Sequence, residues 1–273
     1  MVSTLLAPPQ DELLLRASDA LAFVDSASGE AVTTGLRCSL VLRRGGKLLG
    51  RAVVSPTGVH HWPELPERWR GALPAAPVFA DVVVRDELER FLPLALPWPL
   101  PAAPVGQVIG GIVFGGVFGG RLLRISLLSA PGRTAPPGMA SVHGLVIWQA
   151  DGRPAGWARV SLTDGDGRVH EGASDAEGRL SLHLPLPRPN RPGSPPAPAA
   201  QLRVFAAPAL ASSSLGLGAP DVLAFAAQPE VRALADAAAS TAYLPPVFVA
   251  GEPLILATLG LPPAHRELRL API

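Results

Sequence analysis

From Asp11 onward, short apolar runs alternate with polar positions and are cut at close intervals by glycine, aspartate and serine. A period of two over four to eight residues is the mark of half-buried strands. The spacing predicts strands at Leu13–Arg16, Ala20–Val24, Leu36–Leu42, Leu48–Val54 and Gly58–Trp62, with turns at Ser28-Gly29 and Gly45-Gly46. Val78–Val84 is a β-branched run that reads as a further strand. Strands are also predicted at Ser141–Gln149, Ala158–Leu162, Val169–Ala173, Leu180–Leu184 and Gln201–Ala206, and two more in the tail VFVAGEPLILATLG…RELRLAPI. Asp151-Gly152, Asp164-Gly165-Asp166-Gly167 and Asp175–Gly178 are the turns between them. The one region with helical composition is 219–240, rich in Ala and Leu. Pro229 divides it and suits the first turn of a second helix.

The plan occurs twice. FVDSASGEAVTTGLRCSLVLRRGGKLLGRAVVSPTGVHHWPELP and VIWQADGRPAGWARVSLTDGDGRVHEGASDAEGRLSLHLPLP both run strand, turn, strand, hairpin, strand, turn, strand, and both end in Leu-Pro. Two copies point to duplication of one fold rather than a solenoid. The expected fold class is therefore all-β: two Ig/transthyretin-like β-sandwich domains with one short helical region near 219–240. The expected layout is an N-terminal arm at 1–10, a first sandwich at 11–100, an apolar Gly-rich insert at 101–124 and a second sandwich at 125–273. The proline-rich loop 187–200 has no apolar run to bury.

Thirty uncharged residues lie between Arg90 and Arg121, ending in VGQVIGGIVFGGVFGG. The length raises the question of a membrane, and Gly106/Gly110 and Gly111/Gly115 have the spacing of membrane helix contacts. Pro97, Pro99, Pro101 and Pro104 break the first half, and glycine sustains a helix poorly in the second. Three readings stay open: an insertion that docks on a neighbouring subunit, a flexible linker, and membrane contact through 105–120.

Composition narrows the function classes. Charged residues are 16% of the chain, against roughly 25% in an ordinary globular protein. A surface that poor in charge suits burial between subunits. The 23 basic residues are balanced by 22 acidic ones, with no basic run, so the phosphate neutralisation that nucleic-acid binding requires is not expected. Cys38 is the sole cysteine, in an alternating apolar run, and reads as a small core residue. MVSTLLAPPQDELLL has neither a basic n-region nor a cleavable apolar h-region, so synthesis in the cytoplasm is expected.

No catalytic constellation stands out. The six histidines, at 60, 61, 143, 170, 183 and 265, have no metal-ligand spacing. Asp164-Gly165-Asp166-Gly167-Arg168 begins like a calcium loop, but its fifth position is Arg168 and its twelfth is not Glu, so it reads as a hairpin tip. There is no G-x-S-x-G, P-loop or dinucleotide fingerprint. No catalytic residue, cofactor or metal is expected, and the chain reads as a non-enzyme. Trp62 and Trp148 lie in strands and read as core. Trp69 and Trp98 lie in Pro-rich loops and are better contact candidates, as are Ile109, Ile112, Phe114 and Phe118 of the apolar insert.

Ser141–Pro187, with VHGLVIWQADGRPAGWARVSL followed by GRVHEGASDAEGRLSLHLPLP, resembles a carboxypeptidase regulatory-like (transthyretin-like) module, and residues 20–66 are a weaker copy. Such modules imply stabilising and docking roles without peptidase chemistry. The layout also resembles two-sandwich accessory proteins of phage-tail-like contractile injection systems, through FLPLALPWPLP, LLSAPGRTAPPGMASVHG and GEPLILATLG…RELRLAPI. That resemblance implies a structural or adaptor subunit (cap, baseplate or tail accessory) whose partners are other protein subunits. The particle would be released or membrane-associated. The rival expectation is an exported pair of modules that bind carbohydrate or peptide, for which Trp69, Trp98 and Trp157 would form an exposed strip.

Overall fold

The computed structural model describes residues 20–63, 78–100, 107–109, 112–114, 122–186, 201–208, 210, 218–236, 243, 253–261 and 266–273. The first half contains β1 (Ala20–Asp25), β2 (Leu36–Leu42), β3 (Leu48–Arg51), β4 (Val53–Val54), β5 (His60–His61), β6 (Val78–Asp86), β7 (Leu94–Leu100), β8 (Gln107–Ile109), β9 (Ile112–Phe114) and β10 (Leu122–Leu127). The second contains β11 (Met139–Trp148), β12 (Arg159–Thr163), β13 (Val169–Ser174), β14 (Arg179–Pro185), β15 (Gln201–Phe205), α1 (Val222–Ala226), β16 (Glu230–Ala233), β17 (Leu254–Leu256) and β18 (Glu267–Ala271). The body is all-β, with one short helix among the described residues. The strand expected at Leu13–Arg16 lies outside them.

The two halves follow one circuit. In the first, β1 pairs antiparallel with β5 and parallel with β10, β5 continues to β4, and β3 leads through β2 and β6 to β7. In the second, β11 pairs antiparallel with β14 and parallel with β17 and β18, β14 continues to β13, and β13 leads through β12 and β15 to β16. Strand β13 does alone what β3 and β4 do on either side of Ala52. The repeat visible in the sequence is thus a repeat of strand pairing, and it extends beyond the four strands of each matched segment.

The halves differ in how the circuit closes. In the second, β16 pairs with β18, which joins seven strands into a closed barrel. Its interior is filled by residues of one parity on each strand, including Val142, Val146, Val160, Leu162, Leu180, Leu182, Val204, Leu256, Leu268 and Leu270. The second half therefore departs from the expected pair of facing sheets, because the closing strand β16 leaves no gap between them. In the first half the circuit falls into two four-stranded sheets around a shared core of Leu21, Phe23, Cys38, Leu40, Val82, Leu96, Trp98 and Leu127. The last seam is a single bridge, Phe91 to Ser129, flanked by Leu92 N–H donating to Leu128 O and Ala130 N–H to Arg90 O, both at 2.9 Å.

Three expectations need correction. The region near 219–240 is helical only over Val222–Ala226, where Asp221 caps the helix by accepting from Leu223 N–H at 2.8 Å. Pro229 disfavours helix at Gln228, and Glu230–Ala233 becomes the strand that closes the barrel. The boundary expected at residue 124 falls inside β10, which completes the first unit's sheet by its parallel pairing with β1. The proline-spaced stretch after Arg90 is strand β7, not irregular chain. Ala95 N–H donates away from β6, to Pro220 O at 2.9 Å, and Pro97 and Pro99 share the parity of Ala95. Their missing N–H groups are those the β6 ladder does not use.

Equivalent turns carry equivalent hydrogen bonds. Gly58 N–H donates to Ser55 O at 2.9 Å as Gly178 N–H does to Asp175 O at 3.1 Å. Ser55 Oγ accepts from Val59 N–H as Asp175 Oδ1 accepts from Arg179 N–H. Gly178 has φ +79°, and a Cβ there would sit 2.5 Å from Val146 O. Gly178→Ala is expected to destabilise by about 1–3 kcal/mol, read as a shifted urea midpoint at constant slope.

Candidate functional site

Both cores are packed by their own side chains, so neither ring is a ligand cavity. Two other places gather unusual chemistry: the junction between the units, and a groove at one end of the closed barrel.

At the junction, the loop end of the first unit rests against the outer wall of the second barrel. Arg133, from the segment after β10, grips Asp25 with two hydrogen bonds, Nη1 to Oδ1 at 2.9 Å and Nη2 to Oδ2 at 2.5 Å. Nη1 also reaches Ser129 Oγ at 2.9 Å, and the guanidinium lies 4.6 Å from the Phe91 ring centroid. The side chains of Arg133 and Asp25 are only 10% and 7% exposed. Burial alone would raise the Asp25 pKa. The bonds from Arg133, Ala27 N–H and Ser28 Oγ outweigh it and hold the carboxyl below the usual range.

Strand β14 is buried on both faces. Leu180, Leu182 and Leu184 point into the barrel, while Ser181 and His183 face outward and are still covered. Burial, then the nearby Arg133 and His143 charges, push His183 down to about 4. His183 Nδ1 lies 3.4 Å from Ser141 Oγ, and its Nε2 and Ser181 Oγ have no hydrogen-bond partner among the described residues.

Two further contacts lock the units. Arg43 bridges the buried Asp81, at 2.5 Å, and the helix-capping Asp221, at 2.9 Å. Leu92 packs with Trp157, Ala173 and Leu210. Trp157 is held at φ +61°, with its carbonyl accepting from Gln228 Nε2 at 3.0 Å.

The groove lies at the end of the second barrel where β11 and β18 finish. It has a volume of about 620 Å³ and is lined by Trp148, Pro154, Pro208, Pro229, Val231, Leu270 and Pro272 among others. The polar groups on its rim are engaged with each other. Arg153 Nε donates to Asp151 Oδ2 at 2.7 Å, and Arg269 Nη1 to Gln149 Oε1 at 3.2 Å. An apolar trough with an aromatic side chain and a self-satisfied polar rim is built for contact rather than for proton transfer or metal binding. No cluster of three potential metal ligands occurs among the described residues.

The groove and the junction occupy the same place in the two copies. Asp25 N–H donates to Glu30 O and Gly29 N–H to Asp25 O, while Trp148 N–H donates to Arg153 O and Gly152 N–H to Trp148 O. Ser26 N–H donates to Leu127 O as Gln149 N–H does to Leu270 O. Trp148 is therefore the counterpart of Asp25, and Leu270 that of Leu127. By the same register Val231 is the counterpart of Phe91.

The residues singled out from the sequence fare unevenly. Trp98 is 1% exposed and belongs to the first core, 6.0 Å from Trp62 between ring centroids, so it is not a surface contact. Its strand alternation turns it inward while the prolines beside it occupy the other parity. Trp148, read as core, is half-buried in the groove. Ile109, Ile112 and Phe114 lie in the antiparallel hairpin of β8 and β9. Trp69 and Phe118 lie outside the described residues. No helix among the described residues is long and apolar enough to cross a membrane. Cys38 is buried, and burial pushes its thiol up to about 12, which leaves it unreactive at neutral pH. The Asp164 loop is a hairpin tip between β12 and β13, with the carboxylate occupied by Asp166 N–H, Arg168 N–H and His170 Nε2.

No protein-family model matches the chain, and no curated protein matches it. Among solved structures, a proposed adhesin from Bacteroides ovatus aligns over 70% of this chain and 72% of that chain at 11% sequence identity, with a TM-score of 0.24. A likeness that weak supports no statement about fold or function.

Proposed function

We propose that this chain is a non-catalytic structural or adaptor subunit that works through protein–protein contacts in a large assembly. The resemblance seen in the sequence suggests a phage-tail-like contractile injection particle, with the chain as cap, baseplate or tail accessory. The observation that carries the adaptor reading is the combination of two self-filled β units, joined through Arg43–Asp221 and the packing of Leu92 on Trp157, with one apolar, open-ended groove. Rigid tandem units present a fixed surface, and the groove offers buried area without reactive groups. The resemblance of Ser141–Pro187 to transthyretin-like modules suggests the same docking role.

The rival reading, an exported carbohydrate- or peptide-binding pair, needs an exposed aromatic strip. Trp98 and Trp157 are both buried, at 1% and 4% exposure, so its sugar-binding form loses two of the three rings it called on. The peptide form shares the groove with the adaptor reading.

The test is to purify the full chain with a tag from its native source and image the eluate by electron microscopy. The expected result is co-purification with a particle far larger than the 28.2 kDa chain. Recovery as a free monomer, with no particle in either soluble or membrane fractions, overturns the proposal.

A further inference from the structure

The two copies of the fold show the same end in two states, one filled and one open among the described residues. In the first copy the filling is a strap of the chain itself. After β10 the segment Ala130-Pro131-Gly132-Arg133 turns back, with Arg133 N–H donating to Ala130 O at 3.0 Å, and lays the Arg133 side chain across Phe91 onto Asp25. In the second copy the equivalent end is the groove. Trp148 stands where Asp25 stands and Val231 where Phe91 stands, so the floor has changed from an acid that receives a cation to an apolar surface.

From this we infer that the groove is a receptor for a proline-containing strap of a different polypeptide, turned as Ala130–Arg133 is, which inserts an apolar side chain over Trp148 as Arg133 is inserted over Phe91. Three features favour such a strap. The template seated in the duplicate site is itself a proline-bearing turn, so the architecture accommodates that backbone. Proline in the strap lowers the cost of ordering it, and Trp148 beside Pro154 and Pro272 offers it apolar area. The rim charges are already paired, so an incoming side chain gains nothing from being charged and gains burial by being apolar. The inference rests on the adaptor reading and deepens it by naming the partner's chemistry.

The test uses the isotope-labelled full chain and two ten-residue peptides. One copies residues 128–137, LSAPGRTAPP, and the other carries Arg133→Leu in that peptide. At about 1 mM, a concentration suited to a single short contact, the leucine peptide is expected to shift the NMR signals of Trp148, Val231 and Leu270. The arginine peptide is expected to bind less well. Trp148→Glu in the full chain is expected to weaken the leucine peptide about tenfold or more, as loss of a central tryptophan does at interfaces. Trp148 is partly buried against the second core, so thermal unfolding of Trp148→Glu is read alongside the titration, and Ala271→Glu on the rim provides a second variant if that chain does not fold.

Absence of shifts with both peptides overturns the inference. So does leucine-peptide binding that both variants leave unchanged, or binding by the arginine peptide that is as tight. Self-association of the free chain that Trp148→Glu abolishes would replace the foreign strap with a second copy. A Trp148→Glu chain still incorporated into the large particle would also sink the groove's role and leave the adaptor function standing. Peptide binding by a chain that never joins a particle would do the reverse.

Discussion

Arg133→Met is expected to destabilise the folded chain by about 3–5 kcal/mol, the cost of removing one partner from a buried ion pair. The methionine keeps much of the apolar stem that packs on Phe91, so the loss reports the charge rather than the volume. Asp25 would be left 7% exposed at its side chain with only Ala27 N–H and Ser28 Oγ as donors. Its carboxyl would then titrate higher than in the parent, because the Arg133 hydrogen bonds and charge that hold it low would be gone. The direct check is urea unfolding of both proteins at pH 7.5. The double variant Arg133→Met, Asp25→Leu should recover a substantial part of the loss, since no charge remains buried. If the single variant unfolds within about 1 kcal/mol of the parent, the pair is not what holds the segment after β10 against the first unit.

Much of this architecture is legible in the sequence, for a physical reason. Strand alternation and glycine turns are local, so Ala20–Asp25, Leu36–Leu42, Val78–Asp86 and Arg179–Pro185 can be read one residue at a time. The duplication is legible too, because both copies place a glycine at the same tight turn, Gly58 and Gly178, each with positive φ. Closure is not legible. It depends on Glu230–Ala233, four residues in an Ala/Leu-rich stretch whose local preference is helical and whose strand state comes from pairing with β15 and β18. The Asp25–Arg133 pair is equally hidden, since its partners are 108 residues apart and neither belongs to a motif. A signal for it did exist. Aligning FVDSASGEA with VIWQADGRPA sets an aspartate against a tryptophan at one position of the repeat, and such a mismatch marks a place where the copies meet different partners. Local proline content points to exposure for Trp98, whereas strand parity turns it inward; Trp148 does pack against the second core, but the end of the barrel leaves it only partly covered.

Acid should weaken the same junction through His183. Its pKa falls from 6.5 toward about 4 on folding, so the native state binds fewer protons than the unfolded chain below pH 6.5. The contribution is therefore fully present above pH 6.5 and is lost as the pH drops toward about 4. At about 1.4 kcal/mol per pH unit, moving from pH 6.5 to pH 5 costs about 2 kcal/mol from this residue, and the whole window about 3. The groups acting on the ring are Arg133 and Asp25 from the first unit and His143 from β11. His143 is itself lowered by burial and adds loss of the same sign below pH 6.5. Asp25, held low by Arg133, adds its own loss at more acid pH, as the carboxylate takes up a proton. A protonated His183 would face the Arg133 guanidinium with no hydrogen-bond acceptor at Nε2, so its cost falls on the contact between the units rather than on either core. His183→Gln keeps a polar side chain on β14 but cannot titrate. Its urea stability is expected to fall by about 2 kcal/mol less than the parent's between pH 6.5 and pH 5, whatever its stability at neutral pH. Parallel pH profiles for the two proteins would show that His183 takes up its proton without cost, and the junction would then owe its acid sensitivity to His143 and Asp25.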